Sequence, residues 1–219
     1  MTFSVGPQFP RPDAQLMERF TRVTAATLGH TTDFGFPRGL KPVGPSGRFA
    51  GPALTVKIPH LDSTAVHRAM SLVQPGDVVV IDQSGDDYRS SFGGTLAAIA
   101  ADAGAVAAVS NGSTNDATEI RELGFPVFSR GLTALTTRIL MLEGQINVPV
   151  SVGGVVVMPG DIVFGDDDGI AVVPAAQAQE VADRLSLIEI DFERSDLRGT
   201  VARGTDLAEL TGASGQGPR

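Results

Sequence analysis

The chain has no cysteine, no tryptophan and a single tyrosine. Without cysteine there is no disulfide framework and no thiolate chemistry. Phenylalanine, at 11 residues against one tyrosine, places the aromatic volume in a dry core. Histidine is scarce: His30, His60 and His67 show neither His-x-x-x-His spacing nor the accompanying glutamate of a zinc protease. Basic residues are outnumbered, 17 against 25 acidic, and form no cluster. With a net charge of -8 the chain lacks the basic face that neutralises phosphates, so no nucleic-acid partner is expected. No stretch approaches the roughly 20 apolar residues that span a bilayer. Residues 1–11 carry Pro7 and Pro10 and no apolar run of signal-peptide length, so a cytoplasmic protein without a membrane partner is expected.

What is present is ordinary for a compact domain: 42% hydrophobic and 19% charged residues over a length of 219. One domain over residues 1–210 with a flexible tail over 211–219 is expected. Leu16, Phe20 and Val23 recur at helical spacing and predict a helix over 13–28. A Gly/Pro-rich ordered loop follows over 35–51. Strands are predicted over 53–58, 78–82, 105–110 and 126–129, alternating with helices over 63–72, 95–103 and 116–123. The last third changes to short strands over 148–152, 153–158, 162–165 and 170–173, then one helix over 175–201. Pro-Gly-Asp occurs at Pro75 and again at Pro159, each time before an apolar strand, and reads as a pair of similar turns.

Two segments could hold chemistry. Gly93-Gly94 opens a helix, where backbone N–H groups and the helix dipole favour a carboxylate or phosphate. It is neither a Walker loop nor a dinucleotide fingerprint. The polar loop 110–116 follows an apolar strand, placing Asp116 at a strand's carboxyl end, where α/β folds bind ligands. The competing reading is that Asp116 merely caps the helix beginning at Ala117. A hard cation held by carboxylate and water, Mg²⁺ or Mn²⁺, suits this composition better than zinc. The run 166–168 lacks the spaced ligands of a calcium loop and reads as a turn, and Asp86-Asp87 reads as a solvated turn near Gly93.

The runs GDVVVID, GGTLAAIAADAGAVAAV, NDATEIRELGFPVFSRG and INVPVSVGGVVVMPGDIVFGDDDGIAVVP, in this order between residues 51 and 174, resemble the RraA-like family, which includes the 4-hydroxy-4-methyl-2-oxoglutarate aldolases. The resemblance implies an α/β fold, a layered β/β/α sandwich of swivelling-domain type with a C-terminal helix, assembled as a homotrimer or hexamer. It implies a metal-dependent lyase that cleaves a small 2-oxo acid through a pyruvate enolate, with oxaloacetate decarboxylation as a side activity. Asp116 matches the family's sole protein ligand to the metal. Gly94, Thr95 and Leu96, with Gly93, match the glycine loop that holds the pyruvyl carboxylate. Glu193, or its rival Glu189, matches a glutamate that the C-terminal helix contributes to a neighbouring subunit's site. Asn115 stands where aldolase members carry the arginine that binds the pyruvyl group. An amide donates hydrogen bonds but lacks the charge and the bidentate fork. Arg89, Arg121 and Lys57 are the candidates to replace that charge. The family also contains regulators that bind ribonuclease E, and a hydratase or hydrolase built on the same site is the other alternative.

Overall fold

The computed structural model describes residues 3–44 and 47–214, the side chains of residues 192–194 excepted. The chain begins with β1 (Phe3–Val5). Asp13 then accepts a hydrogen bond from the Gln15 amide and starts α1 (Ala14–Arg22). The single helix expected over 13–28 is two, because Val23 turns extended and the Thr24 hydroxyl accepts from the Thr27 amide, starting α2 (Ala25–Gly29). The loop 35–51 is interrupted by β2 (Lys41–Pro42) and runs into the nine-residue strand β3 (Phe49–Lys57).

From β3 onward the expected alternation holds: α3 (Thr64–Met70), β4 (Val78–Asp82), α4 (Gly94–Asp102), β5 (Ala107–Ser110), α5 (Ala117–Leu123) and β6 (Val127–Ser129). Strands β3 to β6 are parallel neighbours. An extended segment leads to β7 (Gly144–Ile146), which pairs with both β1 and β3. Two hairpins follow, β8 (Val150–Val152) with β9 (Val155–Val157), and β10 (Ile162–Asp166) with β11 (Gly169–Val173). The acidic run 166–168 is the turn of the second hairpin, as expected, and Asp166 also accepts from the Ala25 amide. The expected C-terminal helix is broken. A 3-10 turn precedes α6 (Ala178–Arg194), Ser195 turns extended, and Asp196 caps α7 (Leu197–Ala202). A further turn of helix, α8 (Leu207–Leu210), runs into residues 211–214, and residues 215–219 of the expected tail lie outside the described residues.

The layering follows from period-two alternation. On one face of the parallel sheet, Leu54, Val56, Val79, Ile81, Ala108 and Val127 meet α3, α4 and α5. On the other, Ala53, Val78, Val80, Ala107, Val109 and Phe128 pack against Val150, Val157, Val163 and Ile170 of the hairpins. The outer face of β10 and β11 is covered in turn by α1, α2 and α6, through Phe20, Leu28, Val181 and Leu185. The β/β/α sandwich therefore carries a second helical cover. Strand β3 joins the layers: residues 49–52 pair with β10, and residues 53–57 with β4. Where it crosses, a Cβ on Gly51 would stand 2.0 Å from the Gly76 carbonyl oxygen, so only glycine fits.

The two Pro-Gly-Asp turns are equivalent. Asp77 accepts from the Gln74 amide and Asp161 from the Met158 amide, both at 2.8 Å, with Gly76 and Gly160 at φ of 89° and 85°. Burial pushes the Asp77 carboxyl up, opposed by the Gln74 amide and by the Arg11 guanidinium that pairs with it.

Candidate functional site

The carboxyl ends of β4, β5 and β6 release three segments that are stitched together around Ser90. Ser90 forms isolated bridges to Ser113 and Thr136, and Thr114 to Leu132. The Thr114 hydroxyl donates to the Phe92 carbonyl, and the Ser113 hydroxyl to that of Asp87, the latter at 2.7 Å. Between these segments and α3 lies an open cavity of about 160 Å³. A larger hollow of about 540 Å³ opens beside α6, but its one carboxylate, Asp161, is already engaged by the Met158 and Ala175 amides.

Asp116 and Asn115 both line the cavity, as do Gly93, Thr95 and Leu96. Asp116 occupies the residue before α5, but its side chain makes no capping bond to that helix. Its backbone is left-handed, φ 58° and ψ 42°, a conformation that costs a non-glycine residue about 1 kcal/mol or more. That turn aims the carboxylate at the neighbouring helix, where Oδ2 accepts from the Gly94 amide at 3.1 Å. The helix Asp116 caps is therefore α4, not α5. The Thr95 and Leu96 amides, in the first turn of α4, have no intrahelical acceptor and remain for an anion.

Both glycines are required by this approach. A Cβ on Gly93 would meet Asn115 Oδ1 at 2.4 Å and Asp116 Oδ2 at 2.7 Å. One on Gly94 would meet Glu119 Oε2 at 2.9 Å, which places a second carboxylate beside Asp116 that sequence reasoning did not single out. Asn115 Oδ1 accepts from the Ser90 hydroxyl at 2.6 Å, leaving the amide nitrogen as its donor.

The remaining wall was missed in the sequence: Ser63 just before α3, His67 of α3, Ser90, Ser91 and Phe92, and Thr136 and Thr137. His67, like the other histidines, has no metal-ligand spacing in the sequence. Ser91 is 4% exposed and its hydroxyl is buried without a partner, a feature that only packing reveals.

None of the three proposed substitutes for the missing arginine lines the cavity. Arg89 is engaged by Asp86 at 2.7 Å. Burial pushes the Asp86 carboxyl up, but the Arg89 amide and guanidinium and the Tyr88 amide outweigh it and hold it below its ordinary range. Asp86 is thus a turn residue, but not a solvated one, since its side chain is 7% exposed. Arg121 Nε donates to the Val43 carbonyl, and Lys57 lines a separate hollow with His60 and Glu143. Glu189 accepts from the Thr27 hydroxyl on α2, in the outer helical layer, away from Asp116 of its own chain. The side chain of Glu193 lies outside the described residues.

For a metal, the donor set is sparse. Among the described residues no three His, Asp or Glu side chains converge. Asp116, with its second oxygen uncommitted, is the one carboxylate lining the cavity, which fits an ion that keeps most of its water but not an all-protein cage.

Among the described residues, no helix is long and apolar enough to cross a membrane. The RraA-like family model, aldolase/RraA, matches residues 14–172. A Halalkalibacterium halodurans protein, whose naming as a 4-hydroxy-4-methyl-2-oxoglutarate aldolase is itself provisional, is 37% identical over 154 residues, 70% of this chain and 73% of that one. A Thermus thermophilus protein named 4-hydroxy-4-methyl-2-oxoglutarate aldolase is 30% identical over 139 residues, covering 63% of this chain and 83% of that one. The crystal structure of Streptomyces coelicolor RraAS2, described as an unusual member of the RNase ES inhibitor RraA family, superposes with a TM-score of 0.73 at 32% identity, over 85% of this chain and 99% of that one. The fold, its sheet topology and these matches together place the chain in the RraA-like, aldolase/RraA family.

Proposed function

We propose that the chain is a divalent-metal-dependent lyase that cleaves a small 2-oxo acid to pyruvate, an aldolase of the family's kind with oxaloacetate decarboxylation as a second outcome of the same site. The observation that carries this reading is the turn of Asp116. A strained backbone removes the carboxylate from its own helix and sets it at the N-terminus of α4, beside the amides that take an anion. Strain at a polar cavity is retained where it serves a site.

Asp116 would hold Mg²⁺ or Mn²⁺ through its uncommitted oxygen. Such an ion supplies Lewis-acid stabilisation of the negative charge that develops on the pyruvyl half. The Thr95 and Leu96 amides hold the substrate carboxylate, with Gly93 and Gly94 keeping the approach open. The Asn115 amide nitrogen donates to the pyruvyl half. In the retro-aldol step the 4-hydroxyl gives up its proton, the C3–C4 bond breaks with its electron pair passing to C3, and C3 is then protonated. Support comes from the named aldolases among the relatives. Pyruvate release from 4-hydroxy-4-methyl-2-oxoglutarate and from oxaloacetate is expected with Mg²⁺ or Mn²⁺ and is expected to vanish with excess chelator. Turnover indifferent to chelator would remove the metal from this account.

The site is open on one side, and the extended segment over 131–143 exposes Leu132, Leu135, Ile139, Leu140, Met141 and Leu142 at 39–62%. Because Thr136 and Thr137 of the same segment line the cavity, a copy of the chain docked there would roof it. A homotrimer or hexamer is proposed, with the partner's Glu189 or Glu193 completing the site. Light scattering should give three or six times 22.7 kDa; a monomer would defeat the assembly. The ribonuclease-regulator reading draws support from the description of the Streptomyces structure. It predicts ribonuclease inhibition that survives loss of Asp116.

A further inference from the structure

In the cleavage step a proton leaves the 4-hydroxyl and one arrives at C3, and a group in the wall is needed to carry it. Among the described lining residues, only Asp116 and His67 carry an acidic or basic side chain. Asp116 is committed: one oxygen accepts from the Gly94 amide, and the other is the seat for the cation. An imidazole is the side chain best suited to take up and return a proton near neutral pH.

Helix α3 sets His67 in place. Ala65, Val66, Ala69 and Met70 are buried in the core, which turns residues 67 and 68 outward. Arg68 lies over the Phe3 ring, 5.1 Å from its centroid. His67 follows Ser63 by one helical turn and shares with it the face that lines the cavity. The Ser63 amide donates to the Arg138 carbonyl at 2.9 Å, which ties this turn to the segment carrying Thr136 and Thr137. His67 is exposed, and among the described residues its ring makes no hydrogen bond or ion pair. Both ring nitrogens are therefore open to a substrate.

We propose that His67 is a catalytic residue: a ring nitrogen takes the 4-hydroxyl proton as C3–C4 breaks and returns it to C3. The proposal rests on the lyase reading of the same site. The step is balanced. The O–H pair becomes the second bond of a C4 carbonyl, the C3–C4 pair passes to C3, and the imidazolium proton forms the new C–H bond. The ring ends neutral, as it began. The 4-oxygen and C3 are both bonded to C4, so one ring serves both. Decarboxylation of oxaloacetate differs, because no hydroxyl has to be deprotonated. Its bond to the carboxylate breaks with the pair left on C3, carbon dioxide departs, and water can supply the later proton.

Two substrates test this on the full chain, wild type against His67→Gln, each with Mg²⁺. For 4-hydroxy-4-methyl-2-oxoglutarate, kcat is expected to fall by about 100-fold or more, the usual worth of general acid–base catalysis. Consumption of oxaloacetate is expected to stay within about threefold of wild type, because no base acts before its bond breaks. That retained activity also shows the variant to be folded and loaded with its cation, so the loss cannot be a loss of structure. An equal fall on both substrates would overturn the proposal, placing His67 in binding or folding instead. Unchanged cleavage of the hydroxy acid would overturn it too, and would pass the proton to the partner's Glu189 or Glu193. A wild type that turns over neither acid would sink the lyase reading and this proposal together, an outcome distinct from the other two, in which wild type is active.

Discussion

Replacing Asp116 by asparagine is expected to abolish metal-dependent pyruvate release, a loss of about 10²–10³ or more, while leaving the fold intact. Asparagine is the sharper probe than alanine because it tolerates the left-handed backbone at φ 58° and can still accept from the Gly94 amide. What it loses is the charge that holds a hard cation. Asp116→Ala loses the charge and the bond together, and should be as inactive but also less stable by about 1 kcal/mol, the worth of a helix cap. If Asp116 only caps α4, the order reverses: the asparagine variant keeps its turnover and the alanine variant loses some stability. Pyruvate release and melting temperature, measured on both variants with and without Mg²⁺, therefore separate a ligand from a cap. Equal activity in wild type and Asp116→Asn would end the metal role.

The parts of this molecule that could be read from sequence are those whose pattern is local. Strands β4 and β5 are apolar runs bounded by turns, and α4 and α5 begin at Gly94 and Ala117, each within one residue of expectation, so the frame of the site was legible. Strands β1 and β7, three residues each, have no period of their own and exist because they pair with one another and β7 pairs with β3. The breaks at Val23-Thr24 and at Ser195-Asp196 interrupt an apolar pattern that continues across them, and side-chain caps decide them. Within the site, the glycine pair and the aspartate stand out by residue type. Ser91, His67 and Thr136 are 24 to 69 positions apart and are brought together by the bridges from Ser90 to Thr136 and from Asp62 to Arg138, which no spacing rule anticipates. The aim of Asp116 was likewise hidden, since a residue before a helix reads as that helix's cap until the backbone is seen to be left-handed.

The same bridge-built wall depends on a buried carboxylate, Asp62, whose loss is expected to destabilise the fold by about 3 kcal/mol. Asp62 is fully buried and accepts from the Thr64 amide at 2.9 Å and the Thr64 hydroxyl, and across the chain from the Leu140 and Leu142 amides at 3.1 and 2.7 Å. Removing the side chain strands those donors and frees the segment whose exposed apolar residues flank the cavity. For a chain of this size Asp62→Ala should lower Tm by roughly 6–12 °C. Burial alone would push the carboxyl up, but the Thr64 hydroxyl and amide and the Leu140 and Leu142 amides outweigh it and hold it at about 2, against an ordinary 3.8. Because the folded value is the lower one, its contribution of roughly 2 kcal/mol is complete above the ordinary value and is lost as pH falls toward 2. Wild-type stability should therefore drop more steeply below pH 4 than that of Asp62→Asn, which has no carboxylate to titrate. Since Thr136 and Thr137 belong to the anchored segment, Asp62→Asn should also weaken substrate binding though it touches no substrate. A Tm unchanged in Asp62→Ala would mean that the strand pairings alone fix this wall, and that the segment needs no carboxylate to stay beside the site.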